Sequence, residues 1–367
     1  MEAIKFSRTK RLIIWNLTIA SAFCTSQNSL ADSTKPAFQI DLGSYGGKVS
    51  KLGPRTDHAV VILPDGTTWV TFPVEAEGGL SHREGPLSPG FGFLHISLAG
   101  KIISQCNWHM ASGAVENFFP RENGGFTIRT TTSLLSLDSD CKVKAEVASP
   151  GVGVEATSDG TRLVVEGEKA IRVLDSDSLR DRDSIELPAS LPRYHRAFVW
   201  NQLLMLRDSA ASPCYWTTLA SGHPHVWRTI SCSEETMRLF GDDAIISSNR
   251  DASSTNISVD TLQSVRSYVF SVAGTMKTDA SMFPFDSCLS PESGRAGVFL
   301  FDQRRSWTGA ENITGEHVAV IDFRKGQTLL TLPVTEYDPL LNCSLSQNGK
   351  AFALLRGLNL SVFYLPG

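Results

Sequence analysis

The chain has 367 residues, 41% hydrophobic and 20% charged, with 34 Lys and Arg against 38 Asp and Glu. Residues 1–31 hold four of the bases (Lys5, Arg8, Lys10, Arg11) and one acid (Glu2), so residues 32–367 carry 30 bases and 37 acids, a net charge of −7. That balance argues against a nucleic-acid or anionic-membrane partner, either of which needs a basic footprint.

The N-terminus reads as a secretory signal. Its four bases precede or open the apolar run Leu12 to Phe23, and Ser29, Leu30 and Ala31 offer small residues for cleavage after Ala31. The run is too short to span a bilayer comfortably, and no other stretch is apolar enough to do so. Cys24 would suit a lipid anchor, but Phe23 before it is too bulky for the usual processing site. The expected organisation is a signal peptide over 1–31 and one domain over 32–367, secreted or periplasmic. At 336 residues that domain exceeds the usual single-core size. A repeat architecture escapes this limit, because each unit contacts only its neighbours.

After a polar link at 32–36, Phe38 to Leu42 is an isolated strand with no partner before it. The first repeat spans His58 to Cys106, with strands Ala59 to Leu63, Thr68 to Val74, Phe93 to Leu98 and Lys101 to Cys106, and a long charged loop from Glu75 to Pro89. The second runs from Ala114 to Val147.

The third, Gly151 to Pro188, is the clearest. Val152, Val154 and Ala156 alternate with Gly153 and Glu155, the period-2 pattern of a half-buried strand. Asp159-Gly160 then turns the chain, since Gly accepts positive φ and Asp tolerates it. Arg162 to Glu166, Ala170 to Asp175 and Ser184 to Leu187 complete four strands in under 40 residues, the make-up of a propeller blade.

The fourth repeat starts at Arg193, with strands Ala197 to Trp200 and Leu203 to Arg207 before a hairpin flanked by Cys214 and Cys232. The fifth runs from Met237 to Val272. The sixth starts near Asp286, with a polar insert from Arg304 to Glu316. The last begins at Leu340 and supplies three strands, not four. Phe38 to Leu42, or else Lys48 to Leu52, would complete it, closing the ring and hiding its edges.

Two patterns tie the units together. A Gly-bearing turn after the first strand recurs at Gly66, Gly124, Gly160, Gly294 and Gly349. An Asp-bearing third strand recurs in Ala170 to Asp175, Asn256 to Val265 and His317 to Leu332. The fold expected is all-β, a seven-bladed β-propeller closed by an N-terminal strand in the last blade, at roughly 46 residues per blade. Six or eight units also fit, because the second, fourth and fifth repeats are weak.

Six cysteines follow residue 31, an even count that suggests disulfides in an exported chain, although reduced, buried thiols also fit. Fifteen connectivities are open. A hairpin tip at His223 would oppose Cys214 and Cys232, since opposed residues would then have numbers summing to 446. Cys288 and Cys343 precede equivalent turns in adjacent repeats and so would bridge two inner strands. Cys106 and Cys141 remain as the third pair.

The stretches Asn256 to Val265 and His317 to Val334, with Val259-Asp260-Thr261 and Ile321-Asp322, resemble the YVTN-type repeat of secreted seven-bladed propellers. The Trp-Asp ending of WD-type repeats and the Tyr-Val-Thr-Asn tetrad are both absent. The wider superfamily holds lactonase-like, quinoprotein-like and purely binding members, so the resemblance does not choose a function.

Propellers bind ligands around the channel, on the face reached by the segments leading into each innermost strand. Here those segments hold Arg55, Asp57, His58, Trp108, His109, Arg193, Tyr194, His195, Arg196, Asp286, Tyr337 and Asp338, a mixed set suited to a sugar or small anion. The same residues also read as solvated loops and inter-blade hydrogen-bond partners. His223 and His225 would suit a metal, but no Cys or carboxylate stands near at ligand spacing, and no metal or cofactor is expected. No nucleophile elbow, zincin, phosphate-loop or dinucleotide motif is present. The Asn312 and Asn359 sequons matter only in a eukaryotic host. The sequence therefore reads as a monomeric binding module for a protein or glycan, using one loop face. The alternative is a propeller hydrolase, lactonase-like or glycan-cleaving, with a central metal or carboxylate site drawn from Asp57, His58 and Asp286.

Overall fold

The structure, a computed structural model, describes residues 35–48, 59–74, 80–81, 85–86, 90–110, 115–148, 153–191, 196–200, 202–207, 213–220, 224–230, 238–239, 244–250, 255–261, 268–271, 280–305, 311–334 and 341–367. Within 80–86, 196, 238–287 and 299–316 it describes backbone only.

The fold is an all-β propeller. Among the described residues, seven antiparallel sheets have four strands each, and a two-stranded hairpin (Leu80–Ser81 with Gly85–Pro86) sits inside the expected Glu75–Pro89 loop. Sheet 1 is Val60–Ile62, Thr68–Val74, Gly90–Ile96 and Ile102–His109. Sheet 2 is Val115–Pro120, Phe126–Thr130, Ser133–Leu137 and Val143–Ala148. Sheet 3 is Val154–Ala156, Arg162–Val165, Ala170–Asp175 and Asp181–Glu186. Sheet 4 is Arg196–Trp200, Leu203–Arg207, Cys214–Thr218 and Arg228–Ile230. Sheet 5 is Arg238–Leu239, Ala244–Arg250, Thr255–Thr261 and Tyr268–Ser271. Sheet 6 is Ala280–Ser290, Arg295–Arg305, Glu311–Asp322 and Gln327–Val334. Sheet 7 takes Asn342–Leu345, Ala351–Arg356 and Asn359–Tyr364 from the end of the chain, and Phe38–Asp41 from its beginning as the fourth strand.

That N-terminal strand pairs Phe38 with Val362 and Asp41 with Asn359, so the earlier of the two expected segments closes the last sheet. The expected polar insert Arg304–Glu316 carries strand pairing at both of its ends. The second and third strands of sheet 6 stay paired out to Arg305 opposite Glu311, as one long hairpin. Backbone pairing needs no apolar side chain, which is why a polar sequence concealed it.

Successive residues of a strand face opposite sides. In sheet 1, Val70, Phe72, Leu94 and Ile96 pack on sheet 7, against Ile40, Ala353, Leu355 and Val362. Their neighbours Trp69, Phe91 and Phe93 pack on sheet 2, against Phe118, Phe126 and Ile128. Sheet 3 does the same, with Leu163, Val165 and Leu174 toward sheet 2 and Val164, Ile171 and Val173 toward sheet 4. Cys288, Val318 and Val320 of sheet 6 pack on Leu345, Phe352 and Leu354 of sheet 7. Six sheets, in the order 6, 7, 1, 2, 3, 4, are thus stacked through apolar seams. Burying both faces explains the unbroken apolar runs. Each fully buried Phe or Leu contributes about 1.5–3 kcal/mol.

The first strand of each sheet has an unpaired inner side. At sheets 1 and 4, side chains from the preceding sheet of the ring satisfy it. Asn342 Oδ1 accepts from Val60 N at 3.2 Å, Ser344 Oγ from Ile62 N at 2.8 Å, and Glu166 Oε1 from Ala197 N at 2.7 Å.

Two disulfides reinforce the stack. Cys288–Cys343 joins the first strands of sheets 6 and 7, and Cys106–Cys141 joins sheet 1 to the turn before the last strand of sheet 2, both as expected. The expected hairpin register is corrected: Cys214 stands opposite Ile230, not Cys232. Cys214 is nonetheless disulfide-bonded, and Cys232 lies outside the described residues.

Candidate binding site at the channel mouth

All five recurring glycines take positive φ, at +82° (Gly66), +84° (Gly124), +66° (Gly160), +72° (Gly294) and +67° (Gly349). In four of these turns the residue before Gly is Asp or Asn, and its side-chain oxygen accepts the N–H two residues on: Asp65 from Thr67, Asn123 from Gly125, Asp159 from Thr161 and Asn348 from Lys350. Gly160 is also needed for packing, since a Cβ there would lie 2.7 Å from the Pro120 carbonyl oxygen of sheet 2.

The Asp of the third strands has an equivalent task at the next turn. Asp138 accepts from Asp140 N and Lys142 N, Asp175 from Asp177 N and Ser178 N, and Asp322 from Lys325 N. Burial would raise the Asp175 pKa, but the Ser178 bonds and the Arg182 guanidinium outweigh it and hold the carboxyl at about 2. For Asp138 the Lys142 N–H leads the downward pull. These repeated carboxylates are structural, consumed by turns.

The first strands of sheets 1, 2, 3, 4, 6 and 7 all run the same way around the channel, and their final residues line a single hollow of ≈160 Å³. Val61, Phe119, Val199, Trp200, Leu289 and Leu345 form its apolar wall. Glu155, Ser158, Ser344 and Gln347 supply polar groups, and Glu155 is the ionisable one among the described lining residues. An apolar hollow with a few convergent polar groups is the ordinary form of a ligand site.

This hollow lies where the first strands leave the channel. The candidate residues were named instead from the segments expected to lead into those strands. Arg55, Asp57, His58, Arg193, Tyr194, His195, Tyr337 and Asp338 lie outside the described residues, and for Arg196 and Asp286 only backbone is described. Trp108 and His109 end the outermost strand of sheet 1, opposite Phe91 and Gly90. Trp108 is half-buried and packs on the apolar seam between sheets 1 and 2. Neither reading of the sequence singled out the mouth, because residues such as Phe119 and Leu345 carry only a core signal. The recurring Asp/Asn-Gly turns that frame it were the signal available.

His225 acts as an inter-sheet latch. Its Nδ1 meets the Thr218 carbonyl oxygen at 2.8 Å and its Nε2 meets Asp183 of sheet 3 at 2.9 Å, so both ring nitrogens are engaged. That bond leads the lowering of the Asp183 pKa. His223 lies outside the described residues. Among the described residues no cluster of three or more His, Cys, Asp or Glu is placed to hold a metal, and no helix is long and apolar enough to cross a membrane.

No protein-family model matches the chain, and no curated protein matches its sequence. Solved structures do match. The WD40 domain of Neurospora crassa Pan2 gives a TM-score of 0.54 at 12% identity, covering 92% of this chain and 98% of that one. The WD40 repeats of RRP9 give 0.54 at 9% identity, covering 91% and 99%. At such identities the likeness defines the fold alone: this chain has a WD40-like β-propeller fold.

Proposed function

We propose that this chain is an exported, non-catalytic seven-bladed propeller that binds a protein or glycan partner through its loop face. The observation that carries the reading is the channel mouth, where six first strands converge on one hollow. The seven-blade count draws support from backbone proximity, which sets sheet 5 beside sheets 4 and 6. Export through residues 1–31, with 32–367 as the mature domain in a secreted or periplasmic setting, draws support from the two inter-sheet disulfides. The YVTN-type kinship belongs to the same proposal. So does a second contact surface on the opposite face, drawn from Arg55, Asp57, His58, Arg193, Tyr194, His195, Asp286 and Asp338, with Trp108 and His109 on the outermost strand of sheet 1 rather than at the channel.

The test uses photo-crosslinking residues placed at Ser158 and Gln347 in the native host, with Gln105 on the outermost strand of sheet 1 as reference, beside a glycan array probed with residues 32–367. A shared adduct at 158 and 347 that is absent at 105, or retention of a defined glycan, supports a binding module. Turnover of a lactone or glycoside that Asp57→Ala or Asp286→Ala abolishes, with neither adduct nor glycan, would overturn it in favour of the hydrolase.

A further inference from the structure

A second hollow, of ≈230 Å³, opens on the same turn face, at the seam between sheets 6 and 7. Its described lining is Ser293, Arg295, Asp322, Arg324, Lys325, Asn348, Lys350 and Gly367. The turns that follow the first and third strands of sheet 6 meet the first turn of sheet 7 there.

The charges sort into two groups. Arg295 and Asp322 are buried and neutralise each other, with Nε to Oδ2 at 3.2 Å. Arg295 Nη1 also donates to the Gly349 carbonyl oxygen, and Asp322 Oδ1 accepts from Lys325 N, so this pair is committed to the seam. Asp322 is the one acid in the described lining. Nearby Glu292 accepts from the Gln347 amide across the same seam. Arg324, Lys325 and Lys350 are exposed and no Asp or Glu side chain of the described lining is paired with them, but the Lys325 ammonium is already engaged by the oxygen of Gly367, the last residue of the sequence.

Their positions are constrained. Gly294 leaves room for the Arg324 stem, since a Cβ there would lie 2.6 Å from Arg324 Cγ and 2.8 Å from Nε. Lys325 Nζ donates to the Gly367 oxygen at 2.8 Å, which holds its ammonium at one wall. Asn348 Oδ1 is taken by Ser346 Oγ and Lys350 N, leaving its amide N–H groups as donors toward the hollow. The two other exposed cations, Arg324 and Lys350, flank the same hollow and favour an anion between them. A guanidinium fork beside an ammonium group matches a tetrahedral oxyanion.

We propose that this hollow binds a sulfate or phosphate group through Arg324 and Lys350, on a protein whose overall charge is negative. The site does not depend on the channel mouth or on its partner.

The experiment is thermal unfolding and titration calorimetry of residues 32–367 with inorganic phosphate, inorganic sulfate, glucose 6-phosphate and glucose 6-sulfate, against chloride at matched ionic strength. The melting temperature rises with the oxyanions beyond chloride. An Arg324→Ala/Lys350→Ala double variant weakens binding at least tenfold, whereas Lys101→Ala on sheet 1 does not. Both substitutions are on exposed side chains, and unchanged urea stability without ligand confirms intact folding. Tighter binding of the esters marks an ester group on a larger ligand, and equal binding marks the free ion; each supports the site. An equal response to chloride, or full binding by the double variant, overturns it.

Discussion

Two seams of the propeller each bury an arginine at a turn, and they use it differently. Between sheets 2 and 3, Arg121 is 4% exposed and reaches across the seam, donating to the Ser176 carbonyl oxygen at 2.8 Å and to Asp177 at 3.0 Å, and back to Thr127 and the Leu137 carbonyl oxygen. Burial lowers its pKa, and Asp177 and Asp175 oppose that. Between sheets 6 and 7, Arg295 finds its counter-charge in its own sheet, on Asp322, which is 2% exposed, and spends one bond across the seam. A disulfide joins the same two sheets. At one seam the arginine's polar bonds cross over the apolar packing, and at the other a disulfide and a neutralised pair accompany it. An inward-facing charge is thus handled in two ways, and the costs of removing it differ.

The largest effect is expected at the sheet 6–7 seam. Arg295→Ala leaves Asp322 buried without its counter-ion, a loss of about 3–5 kcal/mol, whereas Arg295→Met with Asp322→Leu costs clearly less. Urea unfolding of the single and double variants measures this. Second, Cys288→Ser with Cys343→Ser costs about 2–4 kcal/mol, because the constraint on the unfolded chain is lost; the same assay with and without reductant reads it. Third, Arg121→Ala costs about 2 kcal/mol. Asp177 is 47% exposed on its side chain, so the charge pair contributes little and the orphaned carbonyl oxygens dominate. Asp177→Asn should therefore cost under about 1 kcal/mol, and a loss equal to Arg121→Ala would reverse this ranking.

The smallest expected effect depends on pH and concerns the turn that Arg121 contacts. The Asp175 pKa of about 2 in the folded chain lies below its ordinary 3.8. Its stabilisation is therefore complete above about pH 4 and is lost as pH falls toward 2. The shift corresponds to at most about 2 kcal/mol, nearer about 1 after screening of the exposed Arg182 pair. The stability gap between wild type and Asp175→Asn should shrink accordingly between pH 7 and pH 2.5. A gap that stays constant would deny the carboxylate its role in the turn.

The same contrast shows what a sequence displays. Thr68–Val74, Ala170–Asp175 and Leu203–Arg207 were legible to the residue, because alternation and flanking turns agree there. The glycine turns were legible because only a left-handed backbone explains their spacing. The Cys214 hairpin was misread by two residues in its pairing, Ile230 rather than Cys232 standing opposite Cys214, since polar turn residues do not fix a register. The long hairpin of sheet 6 was hidden by its polar composition. Arg121 and Arg295 carry no sequence signal at all, because an arginine before a turn reads as solvated until the neighbouring sheet is placed. The channel mouth failed for the opposite reason: its residues look like core.

Every seam and both hollows presuppose a ring closed by Phe38–Asp41 against Asn359–Tyr364. Gln39 stands opposite Ser361, its amide donating to Ser361 Oγ at 3.1 Å. Gln39→Cys with Ser361→Cys, mapped by mass spectrometry of a non-reduced digest, measures that closure directly. A 39–361 disulfide is expected in nearly all folded chains, with a raised melting temperature. Free thiols at both positions in folded protein would contradict it.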